Sequence, residues 1–159
     1  MILLHADGSR TTADLRLLGT EDALTGIAWE AIGPDHPAID DAPATVGLHL
    51  ANDVDVEALA TDPTRFAFVA LHFPAFTDGR AYSQARVLRE RLGYQGPIVA
   101  TGELLQDQAC YLKRCGFDTF ALPDDEAADT LARGFNDFTT AYQATSSAEL
   151  PAYRRRRAG

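Results

Sequence analysis

The stretch Phe73-Pro74-Ala75-Phe76-Thr77-Asp78-Gly79-Arg80-Ala81-Tyr82-Ser83-Gln84-Ala85-Arg86 gathers residue types suited to holding a small anion. Gly79 permits a sharp entry into a helix, and Thr77 or Asp78 can cap it. The first-turn amides near Arg80, Tyr82 and Ser83 then point at the positive end of the helix dipole, where an oxyanion is favoured. Arg80 in that turn can grip an oxyanion with two parallel N–H groups, and Arg86 lies two turns further on. Asp78, Gly79, Arg80, Tyr82, Ser83 and Arg86 are therefore the candidate ligand-binding residues. The competing reading is an ordinary capped helix in which Arg80 pairs with Asp78 or Asp107, while Arg86, Arg89 and Arg91 face solvent.

A second group follows. Asp107, Arg114 and Cys115 are secondary candidates, because Lys113 and Arg114 beside Cys115 favour a thiolate if that thiol is partly exposed. A buried structural thiol is the competing expectation. Cys110 and Cys115 on one helix are separated by about 7.5 Å along its axis, too far for a disulfide, and two cysteines are too few for a zinc or iron–sulfur centre. His5, His36, His49 and His72 have no metal-ligand spacing. His49 and His72 fall near the ends of neighbouring predicted strands, so they can approach one another, and both are expected to be core or rim histidines. No Ser/His/Asp or Cys/His triad, Walker or Gly-x-Gly-x-x-Gly pattern is present, and neither a metal nor a cofactor is expected.

The elements that must position these residues are regular from residue 44 onward. Residues 45–50 read as a strand, and Asp53 caps a short helix through Val56, Leu59 and Ala60. The run Arg65-Phe66-Ala67-Phe68-Val69-Ala70-Leu71-His72-Phe73 is almost continuously apolar, as in a strand buried on both faces. Ala81, Ala85, Leu88 and Leu92 fall on one face of a helix over 80–92 that stops at Gly93. A strand at 97–101, a helix at 103–114 ended by Gly116, a strand at 117–122 and a helix from the acidic cap Asp124-Asp125-Glu126 to about residue 142 complete the series. Alternation with short links predicts an α/β fold: a small, mostly parallel sheet of about four strands with helices on both faces, or else half of a β/α barrel. Residues 1–43 read as an N-terminal extension with short strands at 2–4, 15–18 and 26–32 around the turn Asp7-Gly8-Ser9. Residues 44–145 form the core domain, and 146–159 a basic, disordered tail. In such folds ligands bind at the carboxyl ends of the strands, which places the 73–86 loop at the expected site.

Charge adds a boundary. The chain of 159 residues carries a net charge of −9, yet residues 63–116 hold seven basic and four acidic side chains. The acidic balance argues against nucleic-acid and anionic-membrane partners. No apolar run reaches the roughly 18–20 residues of a membrane span, and Ile2-Leu3-Leu4 lacks a basic flank, so no signal peptide is expected. A soluble cytoplasmic protein, with homo-oligomers allowed, is the resulting expectation.

The block from His72 to Gly93, followed by Gly102, Asp107-Gln108 and Arg114-Cys115-Gly116-Phe117-Asp118, resembles a bacterial family of unknown function. Its members are typically encoded beside assimilatory sulfite reductase and other sulfate-assimilation genes. The resemblance spans about residues 44–122. Relatives often carry an arginine where this chain has Val99 and a residue other than cysteine at Cys110. What the resemblance implies is an accessory role in assimilatory sulfate or sulfite reduction, binding a sulfite reductase component or a small oxyanion. It carries no catalytic residues across. Two other expectations stand beside it: a small α/β enzyme acting on an anionic substrate at the 73–86 loop, and a self-associating interaction scaffold.

Overall fold

A computed structural model describes residues 1–23 and 29–136 of the chain. The predicted last part of the final helix and the basic tail at 146–159 lie outside the described residues, as do residues 26–28 of the predicted strand at 26–32.

The apolar runs become strands, and the short N-terminal strands join the core strands in one sheet. Strands β1 (Ile2–His5), β2 (Arg10–Thr12), β3 (Arg16–Leu18), β4 (Glu30–Ile32), β5 (Gly47–Leu50), β6 (Val69–Phe73), β7 (Ile98–Gly102) and β8 (Thr119–Leu122) form one sheet. Its order is β2-β1-β8-β7-β6-β5-β4-β3. Strands β3 to β8 run parallel to one another, whereas β1 runs antiparallel to both β8 and β2. The N-terminal residues thus supply four of the eight strands, and the expectation of a four-stranded sheet is corrected. The sequence places short strands at β1, β3 and β4 but cannot show that they pair with the core, and it misses β2. All of β2 is exposed, so it has no apolar signal to read.

The barrel alternative fits, and the expected helices on both faces do not. Helices α1 (Arg80–Arg86), α2 (Ala109–Cys115) and α3 (Asp125–Arg133) bury Ala81, Ala85, Ala109, Leu112, Ala128 and Leu131 against Leu48, Leu71, Phe73, Ile98, Ala100 and Phe120. Because strand side chains alternate, the opposite face collects Leu3, Ala31, Ala70, Val99 and Ala121 with Leu15 and Phe68. This second cluster contains no helix residue. The sheet is curled as a half-barrel, with helices outside and the second cluster on its inner face.

The curl is strong for a covalent reason. The edge strands β2 and β3 are joined by only Ala13, Asp14 and Leu15, so Thr12 and Arg16 are at most about 14 Å apart. Eight strands laid flat would separate those edges by about 34 Å. Residues 10–18 cross the gap: the Ala13 N–H bonds the Met1 carbonyl (3.1 Å), and the Arg16 N–H bonds the Trp29 carbonyl (3.0 Å). Leu15 turns inward and is buried. Inside, Phe68 lies over Gly47, where a β-carbon would meet the ring at 2.4 Å, and packs on Trp29 with ring centroids 5.1 Å apart.

Two local departures matter for the site. The first crossover, between β5 and β6, uses 3-10 turns at Val56–Ala58 and Pro63–Arg65, capped by Asp55 and Asp62, in place of the helix expected from Asp53. Helix α1 passes into a π turn over Val87–Arg91, with the Leu92 N–H on the Val87 carbonyl (3.0 Å). The wider turn shifts the phase of everything after it. Leu88 stays buried, but Leu92, predicted on the same face, is exposed. Gly116 ends α2 in the left-handed region (φ 102°), and the Asp124 carboxylate accepts the Ala127 N–H (2.8 Å) to start α3, both as the sequence predicts.

Candidate functional site

The carboxyl ends of β5 to β8 share one mouth of the half-barrel. His49 and His72 are each the penultimate residue of their strand, β5 and β6. Their flanking residues Leu48, Leu50, Leu71 and Phe73 face the helices, so both imidazoles lie on the inner face. The ring centroids are 6.0 Å apart. His72 and Thr101 of β7 are register partners, and His72 Nδ1 lies 3.2 Å from Thr101 Oγ1. The buried Thr101 hydroxyl donates to the Leu71 carbonyl (3.3 Å). A hydroxyl has one hydrogen, so its oxygen must accept from His72 Nδ1–H. That arrangement favours a hydrogen on His72 Nδ1. His49 Nε2 is buried and has no hydrogen-bond partner. Burial, and secondarily the neighbouring His72, push the His49 pKa below the usual histidine value and favour its neutral form. At the other end of the inner face, His5 spans Thr119 and Thr11 (both 3.1 Å), tying β8, β1 and β2 together.

The predicted anion loop borders this mouth, but its charges are already engaged. Arg80 Nε and Nη2 donate to the two carboxylate oxygens of Asp78 at 3.0 and 2.7 Å, and Asn52 Nδ2 donates to the same carboxylate at 2.7 Å. The first-turn amides are used as well: Arg80 N–H bonds Asp78 Oδ1 (3.2 Å), and Tyr82 N–H bonds the Gly79 carbonyl (3.1 Å). Gly79 caps the helix without help from a side chain, and Ser83 is exposed. Asp78 thus serves as the local pair that the sequence offered as the competing reading.

These bonds, led by those from Arg80, lower the Asp78 pKa from 3.8 to about 2. A depressed carboxylate pKa gives stability that is fully present above the unfolded-state value and is lost as pH falls through the folded one. The stability difference between the wild type and Asp78→Asn is therefore expected to be constant above about pH 5 and to shrink as pH falls toward 2. Urea unfolding across that range measures it. A difference that stays flat down to pH 2 would show that the pair contributes nothing.

The remaining candidates meet elsewhere, in the groove between α1 and α2 on the outer layer. Tyr82 packs on Phe73 (5.1 Å between centroids), Tyr111 (4.9 Å) and Phe117 (6.4 Å). Beneath these rings Cys115 is completely buried, with Tyr111, Arg86 and Arg114 close enough to act on its charge. Burial outweighs those neighbours and raises the Cys115 pKa. Cys115 is thus the buried structural thiol that the sequence also predicts, and the reading that depended on its exposure does not apply. Cys110 is also buried, and both thiols are free. Burial, then Cys115 and Tyr111, raise the Tyr82 pKa, with exposed Asp107 adding to the effect. Arg86 is paired with Glu90 one turn on (3.2 Å). Tyr82, Arg86, Arg114, Cys115 and Asp107 thus share one outer groove, whereas Asp78, Gly79 and Arg80 sit at the mouth.

Sequence reasoning missed Arg89. Assigned to solvent, it instead donates to the carbonyls of Tyr94 (2.7 Å), Gly96 (2.8 Å) and Gly116 (2.8 Å) and to Asp118. Its neighbour Arg91 stays on the surface, paired with Glu57. The histidine pair did carry a signal, since both residues stand one position before the end of adjacent strands. Among the described residues, no cluster of three or more His, Cys, Asp or Glu side chains is placed to hold a metal ion, and no helix is long and apolar enough to cross a membrane.

Residues 47–153 match the family described as bacterial protein of unknown function (DUF934), and the chain belongs to that family. The match begins at β5 and takes in the mouth, the α1–α2 groove and Arg89. No curated protein and no solved structure matches the chain.

Proposed function

We propose that this DUF934 member is an accessory protein of assimilatory sulfate and sulfite reduction that docks a reductase component through the outer groove between α1 and α2. The pathway rests on the sequence resemblance. The surface rests on one observation: Tyr111, 42% exposed, packs at a tilt on Tyr82 beside Arg86 and Arg114. Tyrosine and arginine are the residue types that dominate binding energy at protein interfaces, because they bury large area and still satisfy polar groups. The arginines also favour an acidic partner.

The first arm of the test is genetic. Loss of the gene impairs growth on sulfate or sulfite as the sole sulfur source, and normal growth on both sinks the pathway. The second arm is physical. The chain retrieves a reductase component from sulfate-grown cells, and Tyr111→Ala combined with Arg86→Ala weakens that complex by about 30-fold or more, the loss of an interface centre. Equal capture by the double variant removes the groove from the reading.

An anionic substrate or oxyanion at the 73–86 loop draws less support, since Arg80 and the first-turn amides are already bonded. A self-associating scaffold is the reading favoured by Phe76. Its ring is 48% exposed, while Glu103 and Gln108 pin its backbone N–H and carbonyl at 3.0 and 2.9 Å. Light scattering over a concentration series separates the two: a molar mass that stays at the monomer value excludes the scaffold.

A further inference from the structure

A crevice of about 340 Å3 opens between the loop that follows β7 and the first turns of α3. Its lining is apolar at Leu104, Leu105, Ala127 and the buried Leu131, and acidic at the exposed Asp124 and Glu126. Neither acid pairs with a cation among the described residues. Asp124 accepts the neutral Ala127 N–H and keeps its charge, while Asp125 and Asp129 of the same helix pair with Arg10. Two carboxylates outweigh the roughly half unit of positive charge at a helix start. Leu105 is 37% exposed, and its backbone is fixed there: Gln108 accepts the Leu105 N–H (3.0 Å) and donates to the Phe76 carbonyl (2.9 Å). The described residues end at Asn136, beside this crevice. Gly134 packs so closely on the loop after β7 that a β-carbon there would collide with the Gln106 carbonyl oxygen, and Gln106 also lines the crevice.

We propose that this crevice is the docking site for the chain's own basic C-terminal segment, Leu150-Pro151-Ala152-Tyr153-Arg154-Arg155-Arg156-Arg157. Leu150 and Tyr153 enter the apolar part, and the arginines that follow lie against Asp124 and Glu126. The pattern is complementary: two large apolar side chains directly before four cations, and an apolar crevice edged by unpaired carboxylates. The connection is long enough. Residues 137–149 reach about 20 Å whether helical or coiled, and the chain leaves the described residues in contact with the loop that lines the crevice. A segment tethered in this way meets its site at an effective concentration of about millimolar, so modest contacts suffice.

The test uses the full chain, labelled with 15N and carrying a nitroxide spin label at Ala158→Cys, the two native thiols being buried. At low salt the label is expected to broaden the amide signals of Leu105, Ala127 and Thr130 and to spare those of Thr64 and Arg65 at the other end of β6. Glu126→Arg, a change at an exposed position, should restore the crevice signals. Replacing Arg154, Arg155, Arg156 and Arg157 together by serine should do the same. So should raising sodium chloride from 0.1 to 1 M, which shortens the Debye length from about 10 to about 3 Å. A spin-labelled chain without 15N, mixed with an unlabelled 15N chain, is expected to broaden nothing. Broadening in that mixture assigns the crevice to a second copy and overturns the proposal. Crevice signals left sharp in the labelled chain, or broadened as strongly after either change, overturn it too.

Discussion

Arg89→Ala is expected to lower stability by about 3 kcal/mol, the range for removing a well-bonded, largely buried charged side chain. The guanidinium is only 16% exposed. Its Nε and Nη2 both reach the Gly116 carbonyl (3.1 and 2.8 Å), and Nη1 bridges the carbonyls of Tyr94 and Gly96. Nη2 also pairs with Asp118, whose carboxylate accepts the Ile98 N–H (3.0 Å). The cation lies 5.6 Å from the centre of the Tyr94 ring, within cation–π range. One side chain thus ties the π turn after α1 to the loop entering β7 and to the left-handed cap that leads into β8. Truncation leaves three carbonyls without their donor and Asp118 without its counter-charge.

Lysine offers a single nitrogen and cannot span Tyr94 and Gly116 at once, so Arg89→Lys is expected to recover less than half of the loss. The exposed Arg91–Glu57 pair is the control, and Arg91→Ala should leave the unfolding midpoint almost unchanged. Urea unfolding reads all three as midpoint shifts at unchanged slope, and Arg89→Ala should also lower the melting temperature by roughly 6–12 °C. A loss below about 1 kcal/mol for Arg89→Ala would show that the pin is dispensable.

Gly102→Ala is expected to cost about 3 kcal/mol and to disturb the mouth as well. Gly102 has φ of +94°, which strains any L side chain. A β-carbon there would also stand 2.1 Å from the Phe73 carbonyl oxygen and 2.9 Å from His72 Cε1. The Phe73 oxygen is backbone and already accepts the Glu103 N–H (2.9 Å), so it cannot swing away without breaking the β6–β7 junction. Relief has to come from shifting β7, which moves Thr101 relative to His72. The expected result is a destabilised protein in which the His72–Thr101 hydrogen bond is disturbed. Gly79→Ala is the matched control, because its nearest neighbour is the Tyr82 ring at an ordinary 3.5 Å and its φ is −85°. If Gly102→Ala unfolds at the wild-type midpoint with the His72 signals unmoved, the close packing at this junction has no energetic weight.

How far these features could be read in advance depended on the range of the interactions behind them. The run through Phe73 announced β6. Gly93, Gly116 and Asp124 announced helix ends, because caps and left-handed turns depend on neighbours within a few residues. The same local rules paired Asp78 with Arg80, two residues apart. The π turn escaped notice because it shifts helix phase by one residue with no change in composition, and Leu92 was placed on the wrong face as a result. Arg89 was invisible for a different reason. Its partners at Gly116 and Asp118 lie 27 and 29 residues away, and three of its acceptors are backbone carbonyls, which carry no residue identity.

By itself, the sequence determined the alternation of strands and helices after residue 44, their caps, and the placing of His49 and His72 near strand ends. All of these follow from local periodicity and backbone preference. Only the tertiary structure decided that the sheet has eight strands, that its edges are drawn together by the three residues Ala13 to Leu15, and that all three described helices cover one face. It likewise decided that the two imidazoles lie on the inner face while the tyrosines and Cys115 lie on the outer one. Which side of a strand becomes the inner one depends on the neighbours it pairs with and in what register, and that choice is made by the whole sheet rather than by any one segment.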